Sequence, residues 1–516
     1  MRYVLTNAQM READGYTIGN LGVPSLVLMA RAGMALADEA KKMLASRKSK
    51  GKVLVVCGGG NNGGDGFFCA QRLLQSGVET DVVFFAERST SENEINRKGF
   101  LSAGGKIYEE ISCEEEYALV IDCLLGTGFK GEVSEKYKQA ILKMNEEKAR
   151  GAQILSADIP SGVNGENGFA DVAVNADKTL CIGEIKAGVL LGDGIDHAGE
   201  ILRANIGICL PNARKEYAFL IGDKNVSKLL PKRKRNSHKG TYGKAAIVAG
   251  SGEYTGAAYL SAAACLRAGA GYTALFVPKE LLPYYVLKLP EALLFPLNEG
   301  DRVAFTEKNF KKLLAYDCIA YGMGMGASMD TALGAEYLLR TYTGKLLLDA
   351  DALNSLAQYK AEALAQIFAE KKCDVIITPH CKEFSRLTGE SVRSILEKGL
   401  SAPFEFAKMH RVTVLLKNAV SVVTDGEKTA VNAAGTAGQA KGGSGDVLSG
   451  AIAGLCASGL SVFDGAVAGA YLAGRAAEIA AEEFGEYSLL ATDVIARLGK
   501  AFLSVTENAD KKGGEE

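Results

Sequence analysis

The chain has little that would bind it to a membrane, a nucleic acid or an oxidising compartment. No run of about 18 uninterrupted apolar residues occurs, so no membrane-spanning helix is expected. The opening MRYVLTNAQMREAD has no apolar h-region, so no secretory leader is expected. Formal net charge is −2, from 59 Lys and Arg against 61 Asp and Glu, which leaves no global basic field for nucleic acid or a membrane surface. None of the eleven cysteines forms a C-x-x-C pair, which argues against a disulfide framework or a zinc site and for reduced, core-filling thiols in a cytoplasmic protein. There is no repeat period of the kind a solenoid needs. What remains is an ordinary globular composition, 47% hydrophobic and 23% charged, in 516 residues, too long for one core and suited to two domains.

The sequence has glycine in abundance, 60 residues, clustered at the ends of apolar runs. Two clusters close on Gly-Asp: Gly58-Gly59-Gly60-Asn61-Asn62-Gly63-Gly64-Asp65-Gly66 and Lys441-Gly442-Gly443-Ser444-Gly445-Asp446. Each follows strand-like sequence and leads into a helical pattern, where free backbone N–H groups and the helix dipole favour anions. In the first half, Val53–Cys57, Asp81–Phe85, Ala118–Ile121 and Gln153–Leu155 are continuously apolar, the mark of strands buried on both faces of a parallel sheet. Phe67, Ala70, Leu73 and Leu74 share a helical face, with Gly77 as the stop signal. In the second half, Ala245–Val248, Thr273–Val277, Cys318–Tyr321, Leu346–Leu348, Val375–Ile377, Val414–Leu416 and Val420–Val423 read as strands. Val447–Leu460 reads as a helix buried nearly all round. Between the halves, PKRKRNSHKG is either a solvated interdomain segment or a phosphate-contacting rim.

Ligands of parallel sheets sit beyond the carboxyl ends of the strands. Three loops of the first half leave such ends: GGGNNGGDG, Asp122-Cys123-Leu124-Leu125-Gly126-Thr127-Gly128 and Asp158-Ile159-Pro160-Ser161-Gly162-Val163. Oxygen donors from Asn62, Asp122 and Ser161 suit a hard cation, and Asp158, in a turn stiffened by the proline that follows, suits an acid/base role. The ordered set QMREAD, LVLMARAG at 26–33, NNGGDG, DCLLGTGF, SADIPSGV and ADKTLCIGEIKAG resembles the NAD(P)H-hydrate epimerase domain, over about residues 1–211. Ala30-Arg31 departs from the family's usual Glu-Asn. The resemblance implies a Rossmann-like fold and hydrated-dinucleotide contacts from Asn61, Asn62, Gly63, Gly64, Asp65, Gly126, Thr127, Gly128, Phe129, Lys130, Gly131, Glu132 and Asp158. It implies that Asp158 is the catalytic acid/base and that Asn62, Asp122 and Ser161 hold potassium.

In the second half, three glycines precede Asp446 at the head of a helix, an arrangement that can stabilise a transferring phosphoryl group while the carboxylate deprotonates the attacking hydroxyl. The loop is not a GxxxxGK[ST] P-loop. It resembles the anion hole of the ribokinase-like superfamily. SHKGTYG at 237–243, GMGMG at 322–326, DADALN at 349–354 and TPH at 378–380 follow in an order similar to the ADP- or ATP-dependent NAD(P)H-hydrate dehydratase, over about residues 225–505. Departures are Asn418 for the usual Gly, Ser421 for Thr, Cys381-Lys382 for Pro-Gly, and Met at both GxGxG spacers. The resemblance implies dinucleotide contacts from Ala257, Gly324, His380 and Asp446, with Asp446 catalytic. It implies adenine-nucleotide contacts from Lys417, Asn418, Ala419, Val420, Ser421 and Gly445, with ADP accompanied by Mg2+.

The expectation is therefore an α/β chain: a Rossmann-like three-layer domain at 1–215, a linker at 216–235, a ribokinase-like α/β domain at 236–505 and a disordered tail at 506–516. Its expected activity is epimerisation of (R)- and (S)-NAD(P)HX and ADP-dependent dehydration of the S form. The expected partners are small molecules only, with no nucleic acid and no membrane, in a homo-oligomer. The alternative is a small-molecule kinase fused to a non-catalytic binding domain. His238 is open between polar surface and ligand contact, and His197 and His410 carry no functional expectation.

Overall fold

In the computed structural model, residues 2–46, 51–112, 115–129, 131–211 and 217–511 are described, and the chain divides into two compact units, Met1–Tyr217 and Ala218–Glu516. The strands of unit 1 are β1 (Tyr3–Leu5), β2 (Lys52–Cys57), β3 (Thr80–Phe84), β4 (Ile107–Tyr108), β5 (Tyr117–Cys123), β6 (Gln153–Ala157), β7 (Lys178–Ile182), β8 (Ile185–Lys186) and β9 (Glu200–Ala204). Seven of them form a sheet in the order β4-β3-β2-β5-β6-β7-β9, parallel throughout. β1 and β8 form a separate parallel pair.

The continuous apolarity of VLVVC has its reason in the layers on both faces. Val53, Val55 and Cys57 pack with Leu36, Phe67 and Phe100 from the helices Ser25–Ala45, Asn61–Gln75 and Ser91–Ser102. Leu54 and Val56 face Ile141 and Met144 from the helix Glu135–Ala149. The strand order reverses between β2 and β5, and the loops leaving those two strands open the crevice where ligands of such sheets bind.

In unit 2 the strands are β10 (Ala218–Leu220), β11 (Lys244–Val248), β12 (Tyr272–Val277), β13 (Leu293–Pro296), β14 (Cys318–Tyr321), β15 (Lys345–Leu348), β16 (Asp374–Ile377), β17 (Thr413–Leu416), β18 (Ser421–Thr424) and β19 (Thr429–Asn432). They lie in the order β13-β12-β11-β14-β15-β16-β17-β18-β19-β10. Pairing is parallel from β13 to β17, turns antiparallel at β17–β18 and β18–β19, and is parallel again at β10. One face carries the helices Thr255–Arg267, Ser444–Ala457 and Val462–Phe484, and the other carries Met329–Thr341 and Ser401–His410. The helix Ser444–Ala457 is buried along nearly its whole length, which its all-round apolar sequence predicts.

Two expected boundaries shift. The segment expected as a linker holds β10 and the helix Asp223–Leu229, whose Val226 joins the core of unit 2. Its basic run is partly bound into the fold: the Arg233 guanidinium stacks over the Tyr242 ring at 4.1 Å and donates to the Gly269 carbonyl. The final helix runs Ala491–Lys511, six residues into the stretch expected as a disordered tail, because Leu498, Ala501 and Val505 continue its apolar face, and residues 512–516 lie outside the described residues.

Phe67, fully buried between Phe84 at 5.5 Å and Phe100 at 6.2 Å, ties the helix Asn61–Gln75 to its neighbours. Phe67→Ala is expected to destabilise unit 1 by about 3–5 kcal/mol, read as a lower urea midpoint.

Candidate active sites

Unit 1 encloses a cavity of about 610 Å³ at the carboxyl ends of β2, β5 and β6. Of the residues expected to hold a dinucleotide, Asn61, Asn62, Asp65, Gly126, Thr127, Gly128, Phe129 and Asp158 line it. Gly63 and Gly64 do not. A Cβ on Gly63 would sit 1.9 Å from the Gly58 carbonyl oxygen, and one on Gly64 would sit 2.7 Å from Met29 Sδ. Their glycine character lets the helix pack against the loop and the neighbouring helix, behind the cavity wall. Gly60, the residue before the helix, has open space around it and does face the cavity. Gly131 and Glu132 are exposed and outside the lining, and Lys130 lies outside the described residues.

The three expected cation ligands meet around Leu125. Asn62 Nδ2 donates to the Leu125 carbonyl at 2.8 Å, Leu125 N donates to Ser161 Oγ at 2.8 Å, and Ser161 Oγ donates to Asp122 Oδ1 at 2.5 Å. Asp122 is fully buried, and its second oxygen accepts from Ser156 Oγ at 2.9 Å and Ser161 N at 2.8 Å. Burial pushes its carboxyl above the usual range, opposed by those hydrogen bonds. Asn62 Oδ1 is buried and has no partner among the described residues. A buried acceptor without a donor costs free energy, so a cation ligated there fits the donor set.

Asp158 is held by its backbone more than by the proline two residues on. Its φ is +71°, and Ile159 N donates across it to Ala157 O at 2.8 Å, a tight γ-type turn. The carboxylate accepts from Ile182 N at 3.1 Å and from Lys186 Nζ, which also donates to Ile182 O. Lys186 is 1% exposed. Asp14 and Asp65 share the same cavity. Burial, then the nearby Asp158 charge, pushes the Asp65 carboxyl well up, while Lys186 opposes the shift. Lys186 and Asp14 carry no role in the sequence reading; the signal for Lys186 was a lysine inside the apolar run CIGEIKAG.

In unit 2, Asp446 lies in the first turn of the helix Ser444–Ala457, after Gly443 at φ +99°. Burial, reinforced by Asp349 and offset by Lys417, pushes its carboxyl up to about 7. Lys417 Nζ donates to Asp349 Oδ1 at 2.8 Å, and Ser449 Oγ donates to Asp349 Oδ2 at 2.7 Å. Burial works against the Lys417 charge, but Asp349, Glu383 and Asp446 together hold its pKa above the usual value. A Cβ on Gly445 would lie 3.5 Å from Lys417 Nζ, so the glycine loop and the lysine meet.

Ala350, between Asp349 and Asp351, has φ +49°, and Asp351 Oδ2 accepts from Gly326 N at 2.9 Å. Gly324, at φ +61°, touches Ala257: a Cβ on it would be 2.7 Å from the Ala257 Cβ. These two expected dinucleotide contacts therefore adjoin. Asn418, Ala419 and Val420 form the turn between β17 and β18; Asn418 and Ala419 are exposed, Val420 is buried, and Ser421 opens β18. His380 has a structural duty the sequence did not reveal. Its Nδ1 accepts from Lys382 N at 3.1 Å and Glu383 N at 3.2 Å, capping the helix Cys381–Thr388. Glu383, buried beneath it, has its carboxyl raised by burial. Asp349, Asp351, Glu383 and Ser449 are the site residues that sequence reasoning left without roles, although the doubled Asp of DADALN was a visible signal. No cluster of three or more His, Cys, Asp or Glu side chains forms a metal cage among the described residues.

The comparisons with known proteins agree with both halves. The family described as NAD(P)H-hydrate dehydratase matches residues 245–500, and the YjeF-related protein N-terminus matches residues 25–188. A bifunctional NAD(P)H-hydrate repair enzyme of Thermofilum pendens is 33% identical, with 97% of this chain and 96% of that protein covered. One from Escherichia coli is also 33% identical, over 93% of this chain and 90% of its own. Among solved structures, the ADP/ATP-dependent NAD(P)H-hydrate dehydratase from Bacillus subtilis, co-crystallised with ATP and Mg2+, is 28% identical with a TM-score of 0.49, covering 56% of this chain and 99% of that one. With full-length relatives above 30% identity and both domain families matched in order, the chain belongs to the family of bifunctional NAD(P)H-hydrate repair enzymes.

Proposed function

We propose that each unit runs one half of a repair cycle on hydrated nicotinamide cofactors. Unit 1 interconverts the R and S hydrates of NADH and NADPH, and unit 2 dehydrates the S form at the expense of ADP. The observation that carries this reading is the presence of two complete carboxylate–lysine sites in one chain, Asp158 with Lys186 and Asp446 with Asp349 and Lys417.

In unit 1 the substrate's hydroxyl-bearing ring carbon is a hemiaminal, so loss and recovery of its configuration needs proton transfer and little else. Asp158, fixed by Lys186 and Ile182, supplies that transfer. Asn62, Asp122 and Ser161 would hold potassium, and the orphaned Asn62 Oδ1 supports that assignment. Potassium held there would supply positive charge where the chain leaves β2, β5 and β6.

In unit 2, Asp446 takes the proton of the ring hydroxyl, and the oxygen attacks the terminal phosphorus of ADP. The bond to the AMP oxygen breaks, and the backbone N–H groups at the head of the helix Ser444–Ala457 receive the developing charge. The phosphate ester then leaves as phosphate with the help of the ring-nitrogen lone pair, and loss of a neighbouring C–H proton restores the reduced ring. Lys417 and Gly445 adjoin one another and would offer the nucleotide phosphates a cation and a close backbone. Magnesium bound with the nucleotide would supply charge compensation on its phosphates, beside the Lys417 ammonium.

Incubation of the purified chain with racemic hydrate and ADP, with ATP as a parallel arm, should convert all of it to the reduced cofactor with release of free phosphate. A stall at one half would remove the epimerase reading, and a stable phosphorylated product would replace the dehydratase with a small-molecule kinase. Because Asp446 must be ionised to act as a base, kcat/KM for dehydration should rise with pH and level off above about 7. Asp446→Asn should lose about 10²–10⁴-fold in dehydration and still bind nucleotide in a calorimetric titration.

A further inference from the structure

Lys186 is a single ammonium among three carboxyl groups: Asp158, Asp14 and Asp65 line the same cavity with it. Its hydrogen bonds go to Asp158 and to the Ile182 carbonyl. Asp14 receives no hydrogen bond and no ion pair among the described residues, although it faces the same space. It is delivered there by the helix Asn7–Gly15, which is closed at its start by reciprocal bonds between Thr6 and Gln9, at 3.2 and 3.0 Å. The buried Met10 seats that helix against Gly183, the residue after β7 and next to the Ile182 N–H that Asp158 binds. The geometry therefore sets a free carboxyl beside a lysine-paired carboxylate in one enclosure.

We propose that Asp14 is the second proton-transfer residue of unit 1, acting at the ring nitrogen while Asp158 acts at the hydroxyl. The assignment rests on the reading of unit 1 as an epimerase. In the opening step Asp158 takes the hydroxyl proton, the carbon–oxygen bond becomes a carbonyl, and the bond from that carbon to the ring nitrogen breaks. The electron pair goes to nitrogen, and Asp14 gives nitrogen its proton. Rotation about the adjacent carbon–carbon bond turns the other face of the aldehyde to the nitrogen. On closing, Asp14 takes the proton back, the carbon–nitrogen bond reforms, and Asp158 returns its proton to the oxygen. Nothing is oxidised or reduced, and both carboxyls end as they began.

The electrostatics suit this division of labour. Burial, with Asp158 adding to it and Lys186 opposing it, pushes the Asp14 carboxyl up to about 6, close enough to neutrality to give and retake a proton. Asp65, enclosed more tightly, has its carboxyl raised by burial first and then by Asp158, with Lys186 opposing. The charged groups facing Asp14 are thus Lys186 after β7, Asp158 after β6, Asp65 on the helix Asn61–Gln75 and Arg11 on its own helix.

The test is the full-length chain given purified R hydrate, with S hydrate formation read directly. Asp14→Asn should lower kcat by about 100-fold with KM little changed. The wild-type kcat/KM should decline as pH rises past about 6, where Asp14 loses the proton needed for opening, and the variant should lack that limb. Asp14→Glu should restore part of the rate. ADP-dependent dehydration of S hydrate by the same Asp14→Asn preparation, at the wild-type rate, shows that unit 2 is folded, and an unchanged KM for R hydrate shows that the unit 1 site is folded. A rise in KM alone, or a pH profile identical to wild type, would overturn the role and leave Asp14 a binding residue. A wild-type chain no faster than spontaneous inversion would overturn the epimerase reading itself, and this role with it.

Discussion

Both sites depend on a lysine ammonium taken out of water at the edge of a parallel sheet. The Lys186 and Asp158 side chains are 1% and 11% exposed, and those of Lys417 and Asp349 are 19% and 2% exposed. An ion buried alone loses several kcal/mol of hydration, and only a close partner with further hydrogen bonds offsets that loss. Ile182 N provides such a bond to Asp158, and Ser449 Oγ provides one to Asp349. Once each lysine is committed, every additional carboxyl nearby sees a weaker counter-charge. That is why Asp14, Asp65 and Asp446 are all pushed up by burial while their neighbours stay paired.

The sheets place these charges. In unit 1 the lysine ends β8 and its aspartate follows β6; in unit 2 the lysine follows β17 and its aspartate follows β15. In unit 2 the parallel strands β15 to β17 point their carboxyl ends the same way, so Asp349 and Lys417 converge there; in unit 1 Lys186 reaches Asp158 from the β1–β8 pair. The convergence is accompanied by strain. Asp158 at φ +71° and Ala350 at φ +49° are two of the three non-glycine residues with positive φ among the described residues, and each stands at one of the two sites. Such conformations cost about 1–3 kcal/mol and persist where surrounding bonds over-determine them.

The strands were legible because burial on both faces leaves a run such as VLVVC with no polar position. The loops were legible because Gly, Asn and Asp cluster only where strands end. The function of individual glycines was not. NNGGDG reads as a backbone cradle, yet Gly63 and Gly64 are small because Gly58 O and Met29 Sδ leave no room for a Cβ, and Gly60 is the one open to the cavity. His380 read as a ligand contact, yet its ring also caps a helix, a duty shared by the Thr, Ser and Asp residues that no one position betrays. The antiparallel β18 and β19 were equally hidden, since a short apolar run has the same pattern whichever way its neighbour points.

The sequence by itself determined the two α/β domains and marked out the glycine-rich loops, with Asp158 and Asp446 as candidates on them, because apolar periodicity and glycine placement are local properties of the chain. Tertiary structure alone decided which charges face one another. Lys186 stands 28 residues from Asp158, and Lys417 stands 68 from Asp349. Asp14 and Asp446 owe their proton affinity to burial and to those distant partners, and neither burial nor a partner is written in the residues beside them.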